Sequence, residues 1–315
     1  MERKGAVAGM AGLALAAGSG ILYGSINVLS KPLQAHPLAK GWIAYLASAL
    51  VLAPSLRGFR IAKGDVPKVL AMGLSGAAVA PALLFHGLER TAAADAGILL
   101  TLELVVTTLL AFAFLGERFH AREGLGLAAL LGAALCVYGA SAGGEGESTL
   151  AGALLVLGAA AAWGVDNAVS ARLVGAYGVR QLIAVKGFIG ATALLLAAVA
   201  VRAPLPAPGP AAWMVLLGIA SIAVSSVLFY TALRRVGAAR SSAMNIATTG
   251  LVGALGGVLL LSEHLSWWHG LSIALLALGT TALAWRDDDR DQDRRGRDGP
   301  DDADDGEGRE PPSPT

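Results

Sequence analysis

Long apolar stretches follow one another along most of the chain, separated by short polar or glycine- and proline-bearing turns. A helix rises about 1.5 Å per residue, so about 20 apolar residues cross the hydrocarbon core with every backbone group bonded internally. The pattern therefore predicts an all-α integral membrane protein with ten transmembrane helices. Their approximate bounds are 5–28, 37–56, 67–88, 92–115, 121–141, 149–171, 179–202, 210–233, 239–261 and 267–285.

The first apolar stretch also resembles a cleavable secretory signal. Charged residues precede it, and the small-residue step Ala14-Leu15-Ala16 lies within it. The end of this stretch recurs further along the chain, and a removed signal would have no internal copy. We therefore predict that it is a retained membrane helix.

Composition supports a membrane protein with a separate tail, since 55% of the 315 residues are hydrophobic and 15% are charged. The chain has 24 basic residues (Lys and Arg) and 23 acidic residues (Asp and Glu). Residues 286–315 hold 6 of the basic and 12 of the acidic residues, so residues 1–285 hold 18 basic and 11 acidic residues. The body is thus net positive and the tail net negative. The tail has too few apolar residues to form a core, so we expect it to be disordered and acidic.

The positive charges predict the orientation of the chain in the membrane. If the amino terminus is cytoplasmic, 13 Lys and Arg of the loops face the cytoplasm. Four face outward, namely Lys31, Lys40, Arg90 and Arg202. The positive-inside rule then predicts a multi-pass protein of the cytoplasmic membrane, with both termini and the acidic tail in the cytoplasm.

The chain contains an internal duplication. A shift of 140 residues aligns the segment from Leu22 with that from Ala162, so that Tyr23-Gly24 matches Trp163-Gly164 and Asn27 matches Asn167. A shift of 145 to 146 aligns the segments from Gly87 and Ala232, and also aligns Leu115-Gly116-Glu117 with Leu261-Ser262-Glu263. Each half holds five spans, an odd number, so the second copy is inserted in the opposite sense. We predict two inverted five-helix repeats, residues 1–143 and 144–285.

These features resemble the drug/metabolite transporter superfamily and, within it, the EamA-like ten-helix transporters. The resemblance covers about residues 5–285 and rests on the paired aromatic-Gly motifs, on the ALRRVGAARSSAMN segment, and on LGE and LSE at the ends of the fourth and ninth spans. It implies a secondary transporter whose pathway is lined by the first, third and fourth helices of each half. Many members of that family carry a proline after the position of Glu103, whereas Leu104 and Val105 follow it here. Whether the helix is kinked at this point is therefore left open.

Glu103 is the leading candidate for a functional side chain. It lies halfway through an apolar span, where an ionised group costs about 2.5–3.5 kcal/mol and should face a cavity or a partner. Thr107 lies on the same face of the helix, four residues later. A structural hydrogen bond or ion pair would explain the same placement without any transport role.

A second polar cluster is expected from the first helix of each half. Tyr23 and Asn27 in the first copy, and Trp163, Asp166 and Asn167 in the second, are spaced so that ring and polar group share a face. They could contact the apolar or cationic part of a substrate and its polar part. Packing between helices explains these residues almost as well.

Four further positions complete the predicted pathway. Lys186 lies deep in the seventh span, where it could pair with Asp166 or Glu103, or extend toward the cytoplasmic surface. Asn245 and Thr248 continue the polar lining in the ninth span. Pro81 is expected to bend the third span, either as a gate or as a static kink.

Other residues are predicted to be structural. Glu117 and Glu263, at the ends of the fourth and ninth spans, are expected to meet water or the positive end of the following helix. The glycines of the ninth span, which include Gly250 and Gly253, are expected to permit close packing of helices.

An enzyme is the competing class, together with a non-transport membrane scaffold. The five histidines lie near span ends, and the sequence has no HExxH, GxSxG or Walker-type loop. We therefore predict no enzymatic activity, metal or cofactor, and expect export of an amino acid or drug-like solute by alternating access. Burial disfavours a charged carboxylate, so Glu103 or Asp166 could exchange a proton for coupling. The expected partners are the solute, the bilayer and protons but no nucleic acid, and the oligomeric state, including a homodimer, stays open.

Overall fold

The computed structural model describes residues 2–115, 121–142, 148–236 and 238–284. Ten helices without any strand account for nearly all of these residues, as the sequence predicts. They are α1 Glu2–Ser30, α2 Pro37–Leu52, α3 Lys63–Leu88, α4 Ala93–Leu100 with Leu102–Leu115, α5 Ala121–Ala142, α6 Leu150–Leu173, α7 Val179–Ala200, α8 Pro208–Val236, α9 Ala238–Leu261 and α10 Trp267–Ala284. The predicted acidic tail and Glu117 lie outside the described residues.

Length and hydropathy make these helices suitable for crossing a membrane. Eight of the ten contain stretches of at least 18 residues that are apolar enough to span it. The two others close the halves of the chain: α5 has a shorter apolar stretch, Gly124–Gly139, and α10 has 18 described residues. The protein is thus an all-helical, multi-pass membrane protein.

The loops gather on two opposite faces of the helix bundle. On the face where α1 begins and α10 ends, here called the terminal face, the Tyr177 hydroxyl donates to Asp65 over 2.8 Å and joins the α6–α7 loop to the start of α3. On the opposite face, the Thr149 N–H donates to the Arg90 carbonyl over 2.8 Å and joins the start of α6 to the α3–α4 loop. The helices therefore alternate in direction along the chain.

The two halves of the chain pack into each other symmetrically. Helix α2 packs against α7, α4 against α9, and α5 against α10, which pairs each helix with its counterpart from the other half. Helix α1 packs against α8 and α9, just as α6 packs against α3 and α4. Exchanging the halves leaves this pattern unchanged, as expected for inverted repeats. The predicted boundary at 143 and 144 lies outside the described residues and stays a prediction.

Both α3 and α8 contain a wider, π-helical turn at the same place. The turns span Ser75–Val79 and Gly218–Val224, and a shift of 145 residues superimposes their ends at Val79 and Val224. In α3, Pro81 follows two residues after the turn and lacks the N–H that would bond five residues back to Gly76. The irregularity predicted at Pro81 therefore takes the form of a π-helical turn, and a role as a gate stays a prediction.

Helix α4 is interrupted at Thr101, immediately before Glu103. The Thr101 hydroxyl donates to the Ile98 carbonyl over 2.6 Å, and the Thr101 N–H bonds to the same carbonyl over 3.1 Å. This local bonding competes with the regular helical pattern. A break thus occurs two residues before Glu103, close to the point where the sequence left a kink open.

Glycine allows α4 and α9 to approach closely in the centre of the bundle. A Cβ atom placed on Gly97 would lie 3.2 Å from the Gly253 Cα, so the two backbones are in direct contact. Small residues at such crossings permit tight van der Waals packing in a bilayer. This contact brings the segments that carry Glu103 and Asn245 together around one cavity.

Candidate substrate pathway

A cavity of about 280 Å³ lies between helices of both halves. It extends from the middle of the bundle to the ends of α6, α7 and α8 on the terminal face, where Val174, Val179 and Leu233 line it. Its deepest residues include Tyr23 on α1 and Trp163 on α6. The cavity therefore reaches the terminal face but ends about halfway across the protein.

Most of the residues singled out from the sequence line this cavity. They are Tyr23, Glu103, Thr107, Trp163, Asp166, Asn167, Lys186 and Asn245. Asn27 does not line it: this residue is 1% exposed and lies one turn beyond Tyr23 toward the opposite face, and its side chain has no hydrogen-bond partner in the part of the chain that the structure describes. Thr248 is also outside the lining and donates to the Met244 carbonyl of its own helix over 2.8 Å, while the neighbouring Thr249 lines the cavity.

Glu103 lies in the first turn of the second segment of α4 and faces the cavity. Its Oε1 accepts a hydrogen bond from Asn167 Nδ2 over 2.6 Å, which links α4 to α6. Thr107 donates to the Glu103 backbone carbonyl over 2.8 Å, so its hydroxyl is not bonded to the carboxylate. The carboxylate is thus held by a neutral amide and stays next to open space.

Asp166 and Lys186 form an ion pair between α6 and α7. This is one of the two pairings considered from the sequence. Asp166 is 2% exposed, and its other oxygen accepts from the Ser170 hydroxyl over 3.2 Å. A buried carboxylate is tolerated when it is paired and hydrogen-bonded in this way.

The closed end of the cavity is formed by aromatic side chains. Tyr23 and Trp163 pack edge to face with ring centroids 5.7 Å apart. The Trp163 indole N–H donates to the Gly76 carbonyl over 2.8 Å, and the Tyr45 hydroxyl donates to the same oxygen over 3.0 Å. Because Pro81 has no N–H group to donate to the Gly76 carbonyl, these two side chains donate to that oxygen instead. The π-helical turn of α3 is thereby attached to the cavity.

Several lining residues were not predicted from the sequence. Tyr45 on α2, Ser225, Phe229 and Tyr230 on α8, and Ser19 on α1 contribute to the cavity. Ser19 accepts from Asn245 Nδ2 over 2.9 Å and donates to the Ser225 carbonyl over 2.9 Å, so it connects α1, α8 and α9. The available signal was the spacing of Ser225 and Phe229, which lie four residues apart and therefore on the same face of α8.

A network centred on Glu263 ties helices together on the opposite face. The Glu263 carboxylate accepts from the N–H groups of Ala93 and Ala94 over 2.7 and 3.0 Å, and pairs with Lys31 over 2.6 Å. Glu263 therefore caps the first turn of α4, whereas the sequence led us to expect contact with water or with the start of the following helix α10. The reason is tertiary, because the packing of α9 against α4 places the α9–α10 loop over that helix end.

A second buried carboxylate, Asp95, lies beside this network. It accepts from His269 Nε2 over 2.8 Å and also from the Ser148 hydroxyl. Asp95 and His269 are 0% and 2% exposed. These contacts join the starts of α4, α6 and α10, so the face opposite the cavity opening is held together by charged groups.

Comparison with known proteins agrees with this architecture. The family model described as the EamA-like transporter family matches residues 10–139 and again residues 150–285. The chain belongs to the EamA-like transporter family. The two matches correspond to α1–α5 and α6–α10, as expected if each half of this EamA-like protein is one copy of the family unit.

Individual relatives are more distant. This EamA-like protein is 27% identical over 235 residues to an "Uncharacterized transporter" of Methanothermobacter thermautotrophicus (strain ATCC 29096 / DSM 1053 / JCM 10044 / NBRC 100330 / Delta H). The match covers 72% of this chain and 66% of the relative, so the chain spans just under two thirds of the relative's length. A solved structure described as "Crystal structure of protein" has a TM-score of 0.61 at 16% identity, and covers 90% of this chain and 98% of its own. That similarity shows the fold alone.

Proposed function

We propose that this EamA-like protein is a secondary transporter that moves a small metabolite, an amino acid or a drug-like solute, by alternating access. The observation that carries the proposal is a cavity that holds Glu103 and Asp166 halfway across the bundle and whose described lining reaches the terminal face. Ionisable side chains inside a membrane protein are energetically costly unless they face a water-filled cavity or pair with another group, and they commonly mark a substrate pathway. A solute entering from the terminal face would stop at Tyr23 and Trp163.

The opposite face supports alternating access. There the Lys31 and Glu263 pair and the Asp95 and His269 pair join the ends of several helices. We propose that they close the route beyond Tyr23 in this conformation. Asn27 lies one turn beyond Tyr23 in this direction, and its buried amide has no hydrogen-bond partner among the described residues. An unpaired buried amide is unfavourable, and water would satisfy it if the route opened. We propose that Asn27 lines the pathway in a second, oppositely open conformation.

Coupling to a proton gradient is assigned to Glu103. Its carboxylate faces the cavity and is bonded to the neutral Asn167 amide, whereas Asp166 is already neutralised by Lys186. Binding a proton would remove the uncompensated charge of Glu103 within the membrane, which makes reorientation of the empty or loaded bundle easier.

We further propose that the solute is exported, with which the orientation of the cavity is consistent. The terminal face carries Arg57, Arg60, Lys63, Lys68, Arg172, Arg180, Arg234 and Arg235. The opposite face carries Lys31, Lys40, Arg90 and Arg202. By the positive-inside rule we propose that the terminal face is cytoplasmic. The cavity then loads from the cytoplasm, as an exporter requires.

The test is solute flux in reconstituted vesicles with an imposed pH gradient. A library of amino acids and drug-like solutes is offered to the wild type, to Glu103→Gln and, as a matched control, to Glu89→Gln, whose side chain is exposed at the opposite face. We expect gradient-driven flux in the wild type and in Glu89→Gln but not in Glu103→Gln.

Three other results would contradict parts of the proposal. Unchanged gradient dependence in a well-inserted Glu103→Gln variant would remove Glu103 as the coupling site. Covalent conversion of a solute would favour a membrane-embedded enzyme. Absence of both flux and conversion across the library would favour a membrane scaffold without transport activity.

A further inference from the structure

We propose that the cavity selects a small organic monocation, a primary ammonium group joined to an aromatic ring by a short alkyl chain, over the corresponding zwitterion or anion. This inference rests on the transport function proposed above and names its substrate class. It follows from how charges and rings are distributed around the cavity.

The charges of the cavity are unequal. Among the described residues, two acidic side chains, Glu103 and Asp166, and one basic side chain, Lys186, line it. Lys186 is committed to Asp166, so that this pair is neutral as a unit. Glu103 has the Asn167 amide as its partner, and no cation of the described part of the chain lies within ion-pair distance of it. The cavity therefore offers one uncompensated carboxylate, which complements one positive charge.

A zwitterion is disfavoured by the same contacts. The carboxylate of an amino acid would need a cationic partner, and Lys186 is the basic side chain available in the described lining. Moving Lys186 away from Asp166 would leave a carboxylate that is 2% exposed without its counterion. Breaking one side of a buried ion pair is strongly unfavourable, so the carboxylate group of the substrate would weaken binding. A simple anion would also face Glu103.

The rings of the cavity complement an aromatic body. Tyr23 and Trp163 form one edge-to-face pair, and Phe229 and Tyr230 form another with centroids 5.6 Å apart. Aromatic faces attract both rings and nearby cations. Since the polar atoms of Trp163 and Tyr45 both bond to Gly76, these side chains present ring surface to a ligand more than donors.

The size of the cavity limits the ligand. Its volume of about 280 Å³ lies just below the range of about 300–1,000 Å³ that is usual for small-molecule sites. A single ring with a short ammonium-bearing chain is therefore the appropriate scale.

The experiment compares three probes that share one ring and differ in charge. Binding of 2-phenylethylamine, phenylalanine and 3-phenylpropionate to the purified full chain is measured by calorimetry at neutral pH. We expect the amine to bind about tenfold or more tightly than either of the others, because it alone offers a cation without a carboxylate. Equal or tighter binding of phenylalanine or phenylpropionate, or no binding of the amine, would overturn the proposal.

Variants assign this selectivity to Glu103. Glu103→Gln should weaken amine binding about tenfold or more, Glu103→Asp should restore part of it, and Glu89→Gln should leave it unchanged. If Glu103→Gln does not fold, the Glu103→Asp variant and the three-probe comparison in the wild type still decide the question.

The flux assay separates this inference from the transport function. Selective, Glu103-dependent amine binding without flux of any solute would remove transport and leave the chemistry of the site intact. Flux of phenylalanine without binding or flux of the amine would keep transport and overturn the substrate class.

Discussion

Tyr23 and Trp163 pack edge to face at 5.7 Å, although 140 positions separate them along the chain. They occupy equivalent positions of the two halves. A contact between equivalent residues of an inverted pair lies on the axis that relates the halves. The closed end of the cavity is therefore located where the two halves meet, and opening the opposite face would require these rings to separate.

The Gly76 carbonyl is predicted to depend on two side-chain donors. Trp163→Phe or Tyr45→Phe alone removes one of them and should lower the free energy of unfolding by about 1 kcal/mol. The double variant leaves a buried carbonyl unpaired beside Pro81 and should cost more than the sum of the singles, about 1–3 kcal/mol further. Unfolding in mixed micelles measures this. Tyr138→Phe, at an exposed tyrosine, is the control, and strictly additive losses would contradict the prediction.

Lys186 and Asp166 are predicted to stabilise the protein as a pair, so that losing one of them is worse than losing both. Lys186→Met leaves a buried carboxylate without its counterion and should lower the free energy of unfolding by about 3–5 kcal/mol. Adding Asp166→Asn removes that charge, so the double variant should recover most of the loss. Lys68→Met is the matched control, since its pair with Asp65 at 2.8 Å is largely exposed and should be worth about 0–1 kcal/mol. A double variant as unstable as Lys186→Met would refute this interpretation.

Glu263 is predicted to keep the opposite face closed over Asn27. In a Cys136→Ala background, a water-soluble maleimide should label Asn27→Cys slowly, because this position is buried. Adding Glu263→Ala removes the cap of α4 and the partner of Lys31, so labelling should become at least about tenfold faster.

The control for this labelling is Ala133→Cys, at a fully buried position of α5. It should stay protected with and without Glu263→Ala, which distinguishes local opening from general unfolding. Equal protection of Asn27→Cys in both backgrounds would show that Glu263 does not hold this face closed.

The contact between Gly97 and Gly253 is predicted to tolerate no side chain. Gly97→Val would place branched carbon atoms against the α9 backbone, because its Cβ atom alone would lie 3.2 Å from the Gly253 Cα. We expect a loss of about 1–3 kcal/mol in the free energy of unfolding. Gly270→Ala, in α10 with no atom within 4 Å of its Cβ position, should be neutral. Equal stability of the Gly97 and Gly270 variants would contradict close packing of α4 and α9.

The sequence was informative where local composition decides the structure. Each apolar stretch must satisfy its own backbone groups in lipid, so ten helices followed from hydropathy and their pairing into halves followed from the repeated motifs. The unfavourable placement of Glu103 and Asp166 within apolar helices identified two cavity residues without any knowledge of neighbours.

What only the tertiary structure decided concerns partners that lie far apart in the chain. The capping of α4 by Glu263, the choice of Asp166 by Lys186, and the attachment of Gly76 to Trp163 and Tyr45 all depend on which helices pack together. Hydropathy alone determines that a helix crosses the membrane, because that requirement is met within one segment. It does not determine which face of the helix meets which neighbour, because that choice is made by the packing of the whole bundle.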